Sequence, residues 1–252
     1  MKPRHILTGW LLLAALMLPA MAQNDSAAPR KRRVDASAPT EKVDPTGRFQ
    51  ELHAAFLART KAGPMGLLFL GDSITAGWSA VPEIWEKYFG RYQPANFGIG
   101  GDQTQHVLWR LEHGELENIR PKVVVLMLGT NNTVLNTGEE IAAADEKIVR
   151  TLRQKLPETK VLLLAIFPRG PRKQGKTMDD AVNRMRAIRE ANARLAALDD
   201  GRWVRFLDIG PRFLDDEGSI PASTMPDQLH LSPAGYQIWA EAIAPTLAEM
   251  MK

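Results

Sequence analysis

The chain contains no cysteine. That removes thiol catalysis, cysteine metal sites and disulfides, and it excludes a lipid-modified cysteine behind a leader. Histidine is sparse as well. Five residues with no H-E-x-x-H pair among them offer no metal site. Long apolar runs are missing beyond the first twenty residues, so nothing later in the chain makes a stable membrane span. A basic surplus on the folded part is also absent. Residues 1 to 44 hold seven Lys or Arg and four Asp or Glu, against 32 and 29 in the whole chain, which leaves 25 of each sign from residue 45 onward. The formal charge of +3 therefore belongs to the leading segment, and a nucleic-acid partner, which needs a basic footprint on the fold itself, is not expected.

What is present begins with a leader. Lys2 and Arg4 precede the apolar run Ile6 to Leu18, and Ala20-Met21-Ala22 supplies a small-x-small cleavage pattern. The run is too short to cross a bilayer, so residues 1–22 read as a signal peptide cut before Gln23, giving a periplasmic or secreted protein. Residues 23–44, with the run Arg30-Lys31-Arg32-Arg33 and almost nothing large and apolar, read as a disordered linker. The remaining 208 residues, 45–252, are expected to form one domain.

Within that domain apolar runs alternate with helical patterns. Strands are expected at Gly66 to Leu70, Pro94 to Phe97, Lys122 to Leu128, Val161 to Phe167 and Trp203 to Leu207. The run Val123-Val124-Val125-Leu126-Met127 is apolar on both faces, as in a covered parallel sheet. Helices are expected from Arg48, through His106 to Leu111, over Glu139 to Leu156, over Asp179 to Leu198, and from Pro233 to the C-terminus with Ser232 as N-cap. This alternation predicts a three-layer α/β/α sandwich around a parallel sheet of about five strands.

Four polar or glycine-rich loops stand where such a sheet collects its chemistry: Gly71-Asp72-Ser73, Gly98-Ile99-Gly100-Gly101-Asp102, Gly129-Thr130-Asn131-Asn132 and Asp227-Gln228-Leu229-His230. Taken alone, Asp72 and Ser73 read as helix caps. The other loops reverse that reading, because ester hydrolysis needs a nucleophile, a base, a group that orients the base, and oxyanion donors. Ser73 is the candidate nucleophile, His230 the base and Asp227 its orienter. The N–H groups of Ser73 and Gly101 and the side-chain amide of Asn131 are candidates for the oxyanion hole; glycine leaves an N–H open to a substrate.

These four blocks resemble the GDSL/SGNH hydrolases, the family named after its Ser, Gly, Asn and His. The run from Asn96 to Asn132 is similar to the catalytic subunits of platelet-activating-factor acetylhydrolase. The resemblance covers about residues 65 to 245 and implies a flavodoxin-like fold, no cofactor and hydrolysis of small acyl esters. It also implies that Ile74, Thr130 and Leu229 crowd the acyl pocket and favour a short, acetyl-like group. It does not extend to the leader or the charged linker, which turns the expected ester from a lipid toward an acetylated sugar or cell-wall polymer. The alternatives are a lysophospholipase or thioesterase of the same family, or a non-catalytic carbohydrate-binding module.

The remaining candidates read as structural. His106 and His113 lie on a helical stretch without a carboxylate at hydrogen-bonding spacing, His53 reads as a surface helix residue, and Arg169 as a solvated arginine. The Gly98 to Gly101 cluster fails as a dinucleotide loop, because the third glycine of G-x-G-x-x-G falls at Gln103.

Overall fold

The structure is a computed structural model that describes Met1 and residues 34–174, 177–178 and 180–252. Residues 2–33, which carry the expected leader and the first half of the expected linker, lie outside the described residues. The described residues from 34 onward form one compact unit.

In chain order the helices and strands are α1 (Arg48–Lys61), β1 (Leu67–Gly71), α2 (Ser73–Ala76), α3 (Pro82–Phe89), β2 (Pro94–Gly98), α4 (Thr104–Glu112), β3 (Val123–Met127), α5 (Gly138–Lys155), β4 (Lys160–Leu164), a ribbon of β5 (Lys173–Gln174) and β6 (Thr177–Met178), α6 (Ala181–Leu195), β7 (Val204–Leu207) and α7 (Pro233–Met250). Five strands pair in parallel in the order β2-β1-β3-β4-β7. Side-chain alternation along them divides the core. Leu68, Leu70, Val124, Leu126 and Leu163 pack with residues of α1, α4, α5 and α6 on one face. Leu67, Phe69, Val125, Met127 and Leu162 pack with Trp78, Phe89 and the inner side of α7 on the other. Helices thus cover both faces, and the expected three-layer sandwich is observed.

Capping explains the two long helices. Thr137 and Glu140 form a capping box at the start of α5. Ser232 accepts the Gly235 N–H at 3.2 Å ahead of Pro233 at the start of α7. The fourth strand ends earlier than expected. Ala165, Ile166 and Phe167 stay buried, but the Asn192 side chain takes both backbone groups of Ile166, at 2.8 and 3.0 Å, in place of a neighbouring strand. Among the described residues no helix is long and apolar enough to cross a membrane.

One expectation needs correction. Residues 34–44 are not a loose linker but a strap held along α4 and α5. Thr104 Oγ1 donates to the Ala36 carbonyl at 2.8 Å, Asn136 Nδ2 to that of Val34 at 2.8 Å, and Lys147 Nζ to that of Ser37 at 2.8 Å. The Thr40 N–H donates to the Gln105 carbonyl at 3.0 Å, and Ala36 is 2% exposed. A polar stretch orders here because side chains of the domain satisfy its backbone.

Candidate active site

Strand register brings the loops together. Gly71, at the end of β1, is level with Gly98 on one side and Met127 on the other. The serine, glycine and asparagine loops therefore leave the sheet at one height, on the edge where parallel sheets gather ligands. At Gly71 a β-carbon would fall 2.2 Å from Thr75 Oγ1 and 2.5 Å from the Met127 carbonyl oxygen, so the turn into Ser73 closes only on glycine.

Ser73 begins the short helix α2. Asp72, as its N-cap, accepts the Ile74 N–H at 2.9 Å. Tyr236, at the start of α7, donates its hydroxyl to the Ile74 carbonyl at 2.7 Å and fixes the other side of the turn. Ser73 Oγ lies 2.9 Å from His230 Nε2, and His230 Nδ1 lies 2.8 Å from Asp227 Oδ2. Asp227 Oδ1 also accepts the N–H groups of Leu229 and His230, at 3.1 and 2.7 Å, which curls the turn so that both side chains point the same way. Gln228, between them, is held at φ 63° with its carbonyl accepting the Gly170 N–H at 2.9 Å.

Charge at this end is set by neighbours. Partial burial pushes the Asp227 carboxyl up, but hydrogen bonds from the His230 backbone and ring and the charge of Arg172 outweigh it, and the group is held below its ordinary range. Arg172 reaches Asp227 Oδ2 at 2.6 Å. The sequence reading missed this arginine, because no local signal joins residues 55 positions apart.

The glycine loop and Asn131 complete the group. Gly101 takes φ 74°, a conformation suited to glycine, and a β-carbon on Gly100 would lie 4.0 Å from Ser73 Cβ. Asn131 Nδ2 donates to the Asp102 carbonyl at 2.9 Å and lies 3.3 Å from Asp72 Oδ2. It thereby ties the residue before Ser73 to the residue after Gly101. Burial, with the charge of Asp102 in support and against the Ile74 N–H, raises the Asp72 carboxyl to about 7. Burial raises Asp102 to about 6 against the charges of Arg110 and Lys42. Behind the loop runs a buried chain of charge: Asp102 Oδ2 is 3.1 Å from Arg110 Nε, Arg110 Nη1 donates to Glu115 at 2.8 Å, and Glu115 is 3.0 Å from His53 Nδ1.

The other predicted residues fall as follows. Ile74 and Leu229 are 1% and 4% exposed and pack in the apolar layer between the sheet and α7, not on open surface. Thr130 is 1% exposed, and its Oγ1 accepts from Arg169 Nη1 at 3.3 Å. Arg169 is thus buried rather than solvated, and His53, paired with Glu115, is buried rather than on the surface. His106 serves as a cap, its Nδ1 accepting the Gln103 N–H at 3.1 Å, and His113 stacks on Trp109. A groove of about 640 Å³, lined in part by Gly66, Gln93, Arg120 and Lys122, opens at the opposite ends of the strands and touches none of Ser73, Asp227 or His230.

Comparison with known proteins gives a consistent pattern. The model of the GDSL-like lipase/acylhydrolase family matches residues 69–238. The chain is 37% identical over 218 residues to platelet-activating factor acetylhydrolase IB subunit alpha1 of Bos taurus, covering 84% of this chain and 88% of that protein. It is 38% identical over 197 residues to the alpha2 subunit of Rattus norvegicus, covering 78% and 82%. Among solved structures, a GDSL-like lipase from Bacteroides thetaiotaomicron superposes with a TM-score of 0.60 at 18% identity, covering 78% of this chain and 97% of that one, a likeness of fold.

Proposed function

The chain belongs to the GDSL-like lipase/acylhydrolase family and is a carboxylic ester hydrolase, and from that premise we propose that it removes short acyl groups, acetyl foremost, with Ser73, His230 and Asp227 as its catalytic residues. The observation that carries this reading is the line of contacts from Ser73 Oγ through His230 to Asp227, at 2.9 and 2.8 Å.

With its ring proton on Nδ1 facing Asp227, His230 takes the Ser73 hydroxyl proton on Nε2 as Oγ attacks the acyl carbon. The carbonyl oxygen gains charge beside the N–H groups of Ser73 and Gly101 and the amide of Asn131. His230 then returns the proton to the departing alkoxide. Water repeats the sequence on the acyl-serine and releases the acid. Asp227 stays ionised throughout and stabilises the imidazolium, in keeping with its depressed pKa.

Support for a short acyl group comes from Ile74 and Leu229, buried beside Ser73 and His230 in the chain, and from relatives that are named acetylhydrolases. Export rests on the leader composition of residues 1–22, and an exported esterase fits an acetylated sugar or wall polymer.

The test is turnover of p-nitrophenyl acetate by the purified protein, with Ser73→Ala as the partner variant. We expect Ser73→Ala to abolish turnover without changing the thermal midpoint, a serine-directed phosphonate to label Ser73, and EDTA to leave the rate unchanged. Most of the activity surviving in Ser73→Ala, or label on another residue, would refute the assignment.

A further inference from the structure

Lys42 lies in the strap, outside the residues that the family model matches. Its Nζ donates to the Gly100 carbonyl and lies 3.5 Å from Asp102 Oδ1, and its side chain is 18% exposed. It therefore touches both sides of Gly101, the glycine whose N–H is assigned to the oxyanion hole. A β-carbon on Gly101 would itself lie 3.3 Å from Lys42 Nζ.

The Gly100 carbonyl and the Gly101 N–H belong to one peptide group. That group is planar and trans, so the two bonds point in opposite directions. A cation that holds the carbonyl on the strap side therefore turns the N–H to the other side. Gly100 borders Ser73, with its notional β-carbon 4.0 Å from Ser73 Cβ. The cation also polarises the peptide and makes its N–H a stronger donor. Without such a tether a Gly-Gly peptide is free to rotate, since neither residue has a side chain to restrict it. Asp102 braces the arrangement: its carboxylate meets Lys42 on one oxygen and Arg110 on the other, and its carbonyl receives Asn131.

We infer that Lys42 is a positioning residue for the oxyanion hole, fixing the Gly100–Gly101 peptide so that its N–H is aimed before substrate arrives. The inference rests on the reading of Gly101 as an oxyanion donor. It makes the strap part of the working enzyme, although every catalytic side chain lies elsewhere.

The experiment compares the full protein with Lys42→Met, Lys42→Arg and Lys147→Ala. The last removes a strap tether on α5 that does not touch the glycine loop. Steady-state kinetics on p-nitrophenyl acetate and amide hydrogen exchange over residues 98–102 are measured on each. Misaimed catalytic groups cost up to about 10²-fold in rate, so Lys42→Met is expected to lower kcat by about 10- to 100-fold with KM little changed. Lys42→Arg, which keeps a cationic donor, should recover most of that loss, and Lys147→Ala should match the unmodified protein. Exchange over 98–102 should quicken in Lys42→Met alone. Full kcat in Lys42→Met, even with a lowered thermal midpoint, overturns the inference and leaves Lys42 a structural tie. A wild-type protein without esterase activity overturns the proposed function instead, and the exchange arm then decides the clamp by itself: unchanged protection over 98–102 in Lys42→Met refutes it.

Discussion

The amide of Asn131 bridges two loops and is the side-chain donor proposed for the oxyanion, so its substitution separates two roles. If it stabilises developing charge, Asn131→Ala should lower kcat by about 10²–10³-fold, equivalent to about 2.7–4 kcal/mol, with KM almost unchanged. If it only joins Asp72 to Asp102, the loss is two hydrogen bonds, about 0.5–1.5 kcal/mol of stability each, at full kcat. Thermal midpoint and kcat from the same preparation distinguish the two, and we expect the drop in kcat. At this scale the sequence was legible where chemistry is local. Asp227 and His230 stand three positions apart, and their meeting follows from one turn. It was not legible where burial depends on a distant partner. His53 looks like a surface residue until Glu115, 62 positions later, closes over it, and Arg169 looks solvated until Thr130 is brought beside it.

Helix α5 carries an anomaly that its pattern conceals. Asp145 lies on its inner face, 1% exposed, and neither carboxylate oxygen has a hydrogen-bond partner. Burial, reinforced by the charge of Asp72, raises its pKa well above the ordinary value. A group whose folded pKa exceeds its unfolded value contributes stability at low pH and loses it as pH rises toward and through the folded value. Asp145→Leu, which reproduces the branching without the charge, should therefore stabilise the protein, and its advantage should widen from pH 5 to pH 9. At the alkaline end we expect about 1–3 kcal/mol, or roughly 2–4 °C of thermal midpoint per kcal/mol. Equal midpoints across that range would show that the site tolerates the carboxylate. The elements themselves were largely visible, because short continuous apolar runs and capped amphipathic stretches dictate them. The exceptions are the short β5–β6 ribbon and α3. Pro82 at its first position and the apolar set Ile84, Trp85, Tyr88 and Phe89 carry a helix signal that the strand-to-loop reading passed over.

Across the whole molecule the strap is the part that the sequence concealed. Its composition is that of a disordered tail, and its order comes from side chains such as Thr104, Asn136 and Lys147 that lie far along the chain. A chain beginning at Val34 should keep the activity and thermal midpoint of the full protein. One beginning at Pro45 should melt lower, by about 2–4 °C per kcal/mol lost, and show reduced kcat. Identical melting of the two would mean that the strap contributes nothing. The same arrangement bears on the order of synthesis. Ser37 emerges from the ribosome 110 residues before the lysine that receives it. At about 5–20 residues per second that is a wait of roughly 5 to 20 seconds. Asp227 and His230 follow later still, so under the proposed mechanism each newly made molecule stays inert until nearly its last residue, and no nascent chain cleaves an ester while it is still being built.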